Sequence, residues 1–251
     1  MISLEEFFTE HQQAALAFSG GVDSAYLLYA ASKYAASVRA YYVKTAFQPY
    51  FELDDALRLA RELGVSMRVL CLDALGDGNV RSNPENRCYF CKRRIFEAIA
   101  ERAKSDGFEL IVDGTNASDD ASDRPGMRAL TELNVLSPLR LCGLTKADIR
   151  RLSREAGLFT WDKPSYSCLA TRIPHGTELT IPLLDRTQRA ESFMMRLGFG
   201  DFRVRTRGDT ALIQVTEAQR APLYEKLSLI ENEFLKYYSE VAVDPEARHE
   251  Q

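Results

Sequence analysis

The sequence predicts an α/β chain, a doubly wound parallel sheet followed by a smaller C-terminal α+β domain. Three observations carry that reading. Short apolar runs alternate with helical segments at βαβ spacing from Ala14 to Gly157. The first of these runs ends in a glycine turn, Ser19-Gly20-Gly21, that opens directly into a helix. Beyond Pro174 the order changes to helix, two short strands and helix.

Residues 4–13 form a helix capped by Ser3, with Glu6 at the capping-box spacing. Residues 14–18 are apolar, too few for a helix, and read as a buried parallel strand. Residues 23–36, rich in Ala, Leu and Tyr, are the next helix, and the β-branched and aromatic residues of 38–45 make the second strand. Residues 53–63 are a helix stopped by Gly64, 65–72 a third strand, 96–106 a helix, and 110–113 a fourth strand ending at Gly114-Thr115-Asn116. Residues 117–126, with three Asp and an Arg-Pro-Gly, read as a loop at the carboxyl end of the sheet. A helix over 146–156 starts at Thr145 and stops at Gly157. In the smaller domain, 183–197 is a helix, 202–206 and 210–215 are strands around Arg207-Gly208-Asp209, and 223–238 is a last helix. The expected organisation is a main domain over 1–175, a small domain over 176–242 and a flexible polar tail over 243–251.

The formal charge of −4, from 32 basic and 36 acidic side chains, supplies no basic field to steer a polyanion. A small-molecule substrate is expected, and no nucleic acid. No apolar run reaches the roughly 18 residues of a membrane span. The N-terminus is acidic where a signal peptide needs basic residues. The cytoplasm is therefore the expected compartment, where disulfides are rare. Five cysteines then need explaining as core residues, ligands or nucleophiles.

The most specific string is Ser19-Gly20-Gly21-Val22-Asp23-Ser24. Two glycines let main-chain N–H groups turn toward an anion, and the following helix adds its own N–H groups and dipole. Ser19 and Ser24 bring hydroxyl donors. Asp23 either caps the helix or helps hold Mg2+ on the phosphates. A bare Ser-Gly-Gly would fit an ordinary turn; six residues between strand and helix are far more specific. The GxxxxGK[ST] of a Walker loop is missing, which disfavours kinase or GTPase chemistry. The string resembles the PP-loop of the ATP pyrophosphatases. That resemblance implies ATP cleavage between the α- and β-phosphates, with Ser19, Gly20, Gly21, Val22, Asp23, Ser24, Thr45 and Gly114 as the ATP-binding residues.

Cys88 and Cys91 stand three apart, and Cys168 lies in a segment rich in Ser and Thr, with Lys163 and Arg172 near enough to favour a thiolate. A lone C-x-x-C fits a redox pair, half of a zinc site or an accident of composition. Zinc wants a fourth donor, and the chain has three His, one in the tail. Two neighbouring cysteines and one remote suit a [4Fe-4S] cluster with an open iron, with zinc or bare thiols as the alternatives. Cys71 and Cys142 sit among apolar residues and read as core.

Further strings sharpen the likeness: Asp113-Gly114-Thr115-Asn116, Arg124-Pro125-Gly126, Ser137-Pro138-Leu139, Gly143-Leu144-Thr145-Lys146, Cys168 through Gly176, and Arg203-Val204-Arg205. Together, over about residues 14–215, they resemble the LarE family. Its members are ATP-dependent pyridinium-3,5-biscarboxylic acid mononucleotide sulfurtransferases, which help make the nickel-pincer nucleotide of lactate racemase. The resemblance implies that ATP adenylates a substrate carboxylate, with Asp23 and Cys168 in catalytic roles. A sulfur nucleophile then displaces AMP. One branch sacrifices a single cysteine, matching Cys168; the other holds a [4Fe-4S] cluster on three, matching Cys88, Cys91 and Cys168, and this second branch is the expectation here. Arg172, Arg203 and Arg205 are the substrate-binding candidates. Arg203 and Arg205, two apart on one strand face, would hold the substrate phosphate; a solvated β face is the plainer alternative. Glu191 matches an acidic metal position, but Gln214 stands where members often carry Glu, which weakens a metal in the small domain. His175 replaces a more usual Tyr and takes no role. The implied cofactors are ATP, Mg2+ and the cluster. The implied partners are a nucleotide substrate, a sulfide source or cysteine desulfurase, and further copies of the chain.

Three rivals differ in what they need. A tRNA 2-thiolation enzyme predicts salt-sensitive RNA affinity. A nitrogen-transferring synthetase needs an ammonia source that nothing in the sequence provides. A non-catalytic nucleotide-binding module predicts ATP binding without pyrophosphate release.

Overall fold

The computed structural model describes residues 2–119 and 125–248, and the chain in it opens as predicted. Helix α1 (Leu4–Glu10) is closed by a capping box: the Ser3 hydroxyl accepts from Glu6 N, and the Glu6 carboxylate accepts from Ser3 N at 2.6 Å. From β1 (Gln13–Ala17) the chain alternates through α2 (Val22–Tyr34), β2 (Ser37–Lys44), α3 (Tyr50–Glu62), β3 (Met67–Cys71), the short α4 (Gly78–Arg81), α5 (Arg87–Ser105) and β4 (Ile111–Val112). Then come α6 (Pro125–Glu132), the short α7 (Pro138–Leu141) and α8 (Lys146–Glu155). The four strands pair in parallel in the order β3-β2-β1-β4.

This sheet is covered on both faces because successive residues of β1 and β2 point opposite ways. Leu16 and Tyr42 pack with Leu27, Leu28 and Leu59 on one side; Ala15 and Tyr41 pack with Phe96, Ile99 and Leu130 on the other. Each fully buried side chain of this size contributes about 1.5–3 kcal/mol.

Two compact units divide the chain: Met1–Val80 with Asn86–Lys163, and Arg81–Glu85 with Pro164–Gln251. The division falls before the break expected near residue 175, and residues 81–85 belong with the second unit. They are bound there by Leu179 N to Arg81 O at 2.8 Å, Gly176 N to Asn83 O at 2.9 Å, and Asn83 Nδ2 to Pro174 O at 2.8 Å.

In the second unit α9 (Ile181–Arg196), with Thr180 as its cap, precedes the hairpin of β5 (Phe202–Arg207) and β6 (Thr210–Val215). Next come α10 (Arg220–Glu225) and α11 (Leu227–Phe234) where one helix over 223–238 was expected; the chain leaves helical geometry at Lys226. β7 (Glu240–Val243) then pairs in parallel with β6. The segment read as a frayed tail is held as far as Arg248, whose N–H donates to Val215 O and whose guanidinium meets Asp201 at 2.8 Å. Residues 249–251 lie outside the described residues.

Two other expectations are corrected. α5 begins at Arg87 rather than 96, because Tyr89, Phe96, Ile99 and Ala103 form one continuous buried stripe. Cys88 and Cys91 therefore lie on its first turns. The loop read over 117–126 gives way at Pro125 to α6, whose Ala129 and Leu130 are buried; residues 120–124, including Arg124, lie outside the described residues. Among the described residues no helix is long and apolar enough to cross a membrane.

Candidate active site

The glycine turn sits where a parallel sheet places its sites, at the carboxyl end of β1. α2 starts from Gly21, which gives no side-chain cap, so the N–H groups of its first turn remain directed at whatever binds there. Gly20 holds φ at +77°, and a Cβ on it would stand 2.9 Å from the Glu52 carbonyl. Ser24 makes the loop rigid rather than offering a donor: its hydroxyl donates to Gly21 O at 3.1 Å and accepts from Ser19 N at 3.3 Å, with Ser19 Oγ at 3.0 Å.

A cavity of about 320 Å³ opens at this loop, within the first unit. Ser19, Gly21, Asp23, Ser24 and Gly114 line it on the polar side, and Tyr41, Val43, Phe96 and Ile99 on the apolar side. Its size falls at the small end of ligand pockets. Gly114 is there because nothing larger fits: a Cβ would lie 2.8 Å from Ser24 N and 3.0 Å from Ser24 Cα. Gly114→Ala is expected to push the phosphate loop aside and weaken ATP binding by about tenfold or more, since overpacking against backbone costs about 1–3 kcal/mol. Titration calorimetry checks this, and an unchanged dissociation constant would sink it.

The next turn is built on Asp113. Its buried carboxylate accepts from Thr115 Oγ1 at 2.5 Å, Ser137 Oγ at 2.6 Å and Thr115 N at 3.3 Å, which fixes the strand end beside the loop. Asn116 follows and donates from Nδ2 to Asp23 Oδ1 at 3.3 Å, while Lys146 Nζ reaches Asp23 Oδ2 at 2.6 Å. Asp23 is thus not the helix cap; its carboxylate is turned to a lysine and an amide.

Thr45 stands apart from the cavity wall. Its N–H and hydroxyl both donate to Gln48 Oε1, and its oxygen accepts from Phe47 N; Gln48 lines the cavity in its place. Lys163, expected to act on Cys168, is committed in the first unit to Asp55 at 2.6 Å and the Gly20 carbonyl at 3.2 Å.

Sequence reasoning assigned no role to Lys146, Asn116, Asp113 or Gln48. A usable signal for Lys146 was its place just after a helix cap, where a cation is disfavoured.

Cys88 and Cys91 are one helical turn apart on α5 and so share a face; Arg87 Nη2 lies 3.8 Å from Cys88 Sγ. That spacing fits two ligands of one cluster. Cys168 belongs to the second unit, at the head of a 3-10 turn over Leu169–Arg172. Within either unit alone, no three His, Cys, Asp or Glu among the described residues gather as a metal site. None of the five cysteines is in a disulfide. Cys142 is partly buried against the core, and burial raises its thiol above the ordinary range. Cys71, expected in the core, is exposed, because β3 is an edge strand of the sheet.

In the second unit Arg172 and Glu191 form an ion pair with both side chains 1% exposed. Arg172 Nε and Nη2 donate to the two Glu191 oxygens at 2.8 and 3.0 Å; Val204 N donates to Oε1 at 2.9 Å and the Tyr166 hydroxyl to Oε2. Four donors occupy this carboxylate, so Glu191 anchors α9 to the Cys168 segment instead of waiting for a metal. Arg172 is likewise enclosed rather than open to a substrate. Its Nη1 donates to Ser167 O, Ser167 Oγ and Thr171 Oγ1 at 2.7–2.9 Å, which shapes the turn that carries Cys168.

Arg203 is buried too, donating to Phe202 O and Ser165 O at 2.6 Å, and its guanidinium lies 5.5 Å from the Tyr166 ring that Arg172 approaches at 4.6 Å. Burial first, then the positive charges of Arg172 and Arg248, pull the Arg203 guanidinium down to about 10. Arg205 shares its strand face, half-buried, and donates to Gln214 at 3.3 Å. The pair does not lie on a solvated β face.

No protein-family model matches the chain. It is 35% identical over 230 residues to an uncharacterised protein of Synechocystis sp., covering 90% of this chain and 85% of that one. It is 32% identical over 210 residues to the pyridinium-3,5-bisthiocarboxylic acid mononucleotide synthase of Lactiplantibacillus plantarum, covering 83% and 76%. A more distant similarity, 26% over 185 residues, relates it to a tRNA-specific 2-thiouridylase of Thermotoga sp., with 57% of this chain and 52% of that one covered.

Proposed function

The chain belongs to the LarE family of sulfur-transferring synthases, and from that premise we propose that it activates a carboxylate of pyridinium-3,5-biscarboxylic acid mononucleotide with ATP and converts it to a thiocarboxylate. The observation that carries the first step is the phosphate loop. It has an uncapped helix start, a glycine, Gly20, at a position where a Cβ has no room, the equally confined Gly114 packed against Ser24, and a cavity reaching from the loop to an apolar wall.

In this reading the loop N–H groups hold the β- and γ-phosphates. The substrate carboxylate oxygen attacks the α-phosphorus, the bond to the bridging oxygen breaks, and pyrophosphate leaves with that electron pair. The acyl adenylate then has a good leaving group, so a sulfur nucleophile attacking its carbonyl carbon expels AMP. A Mg2+ carried in with ATP takes oxygen ligands. Asp23 and Asp119 line the cavity, and their carboxylates fit that need.

The sulfur step rests on the cysteines. The proposed ligands are Cys88 and Cys91, whose spacing on α5 suits one cluster, and Cys168, which sequence alone adds to them. When bound, a [4Fe-4S] cluster with an open iron supplies a sulfide without consuming the protein. Arg203 and Arg205 remain the proposed substrate-phosphate residues, supported by their places two apart on one face of β5, Arg205 being the more accessible of the two. Arg172 is better supported as the residue that positions the Cys168 turn. The proposed setting is the cytoplasm, in a homo-oligomer supplied by a sulfide source or a cysteine desulfurase.

The test is anaerobic incubation of the protein with ATP, Mg2+ and the biscarboxylic mononucleotide. AMP, pyrophosphate and a thiocarboxylate in equal amounts are expected. ATP binding without pyrophosphate release would overturn the adenylating reading in favour of a nucleotide-binding module. Iron and acid-labile sulfide on the same preparation should give about four irons per chain; none after anaerobic reconstitution would move the sulfur donor to Cys168 itself.

A further inference from the structure

Lys146 stands where electrostatics disfavours a cation. It is the first residue of α8, behind the Thr145 cap, and a helix start carries a partial positive charge. Its ammonium is turned to Asp23 Oδ2 at 2.6 Å, and that carboxylate lines the phosphate-loop cavity. Asp23 occupies the opposite kind of place: second in α2, its charge lies at a helix start that favours anions. A carboxylate thus lies where the loop is built for phosphate, and it carries a lysine with it. The two side chains are 28% and 24% exposed, so the pair is partly solvated and held weakly. Lys163, a second cation at this loop, is 14% exposed and committed to Asp55 and to the Gly20 carbonyl, and Lys92 also lines the cavity.

We infer that Lys146 is a phosphate-binding residue held in place by Asp23, and that it exchanges this carboxylate for the phosphate chain when the nucleotide enters. The inference rests on the phosphate-loop reading and deepens it. A polyphosphate presents several charges and oxygen acceptors against the single charge of Asp23, so it wins the lysine, and the bond to it is charge-assisted. No covalent bond changes. Asn116 Nδ2 stays on Asp23 Oδ1 and keeps the carboxylate from following the lysine. The Thr145–Asp148 capping box holds the start of α8 still, so that only the Lys146 side chain has to move.

The test is calorimetric titration of the full chain with inorganic pyrophosphate in the presence of a chelator. Lys146→Met is expected to weaken binding by roughly tenfold, and Lys146→Arg to retain most of it. Asp23→Asn is expected to tighten metal-free binding by about two- to fivefold, because the competing carboxylate is gone. That gain should vanish in the double variant Asp23→Asn/Lys146→Met. A gain that survives in the double variant would mean Asp23 merely repels the anion, and the exchange would be overturned. Wild-type affinity in Lys146→Met would overturn it equally. If Lys146→Met does not fold, Lys146→Gln replaces it in both the single and the double variant and is read the same way. Failure of the wild-type protein to bind pyrophosphate or ATP at all would instead reject the phosphate-loop reading, and the exchange with it.

Discussion

Arg172→Met is expected to destabilise the second unit by about 3–5 kcal/mol, because it leaves Glu191 as an unpaired buried carboxylate. The two side chains are each 1% exposed, and Glu191 has no route to water without opening the packing of α9 on β5. Losing the guanidinium removes two donors from Glu191 and four bonds from the Ser167–Thr171 turn at once. Denaturant unfolding of wild type and variant measures the loss. The double variant Arg172→Met/Glu191→Met should recover a large part of it, since an apolar pair of similar volume needs no partner charge. A loss below about 1 kcal/mol in the single variant would mean that the pair is more solvated than its burial indicates. Impaired sulfur transfer in an Arg172 variant is therefore expected from instability and a loosened Cys168 turn alone.

Cys168→Ala is expected to abolish thiocarboxylate formation and the AMP release that accompanies it, while pyrophosphate release and acyl adenylate formation continue, because the cavity proposed for adenylation lies wholly in the first unit. Cys88→Ala and Cys91→Ala separate the two sulfur chemistries. With a cluster, each abolishes transfer and removes iron. With Cys168 as a single-use donor, each still allows one turnover, after which the protein is lighter by about 34 Da, one hydrogen sulfide. Mass spectrometry of protein and product after a single turnover reads both outcomes. Turnover of Cys88→Ala at the wild-type level would end the cluster proposal.

Features set by neighbouring residues were readable in the sequence. The Ser3–Glu6 capping box, the parallel strands and the Ser19–Ser24 loop each follow from local spacing. Features set by distant residues were not. Glu191 looks like a metal ligand until Arg172, Tyr166 and Val204 N are seen around it. Gly114 was found by likeness, whereas its cause, the 2.8 Å approach to Ser24 N, is tertiary. Cys71 lies in an apolar string, yet the order of the sheet puts its strand at an edge, and local hydrophobicity does not encode strand order. α5 was begun too late because Cys-Tyr-Phe-Cys carries aromatic residues of modest helix propensity; burial of Tyr89 overrides that preference.

Residues 81–85 have a bearing on how this protein is made and inherited. The strip leaves the ribosome well before Pro164, with which its unit resumes, roughly 80 residues and on the order of seconds later. During that interval Asn83 has none of its partners at Pro174 and Gly176 yet synthesised. A gene fragment beginning at Pro164 would encode the second unit without this strip. Recombination that moved the C-terminal unit as a cassette would therefore deliver it without Arg81–Glu85 and the bonds that these residues make to Pro174, Gly176 and Leu179.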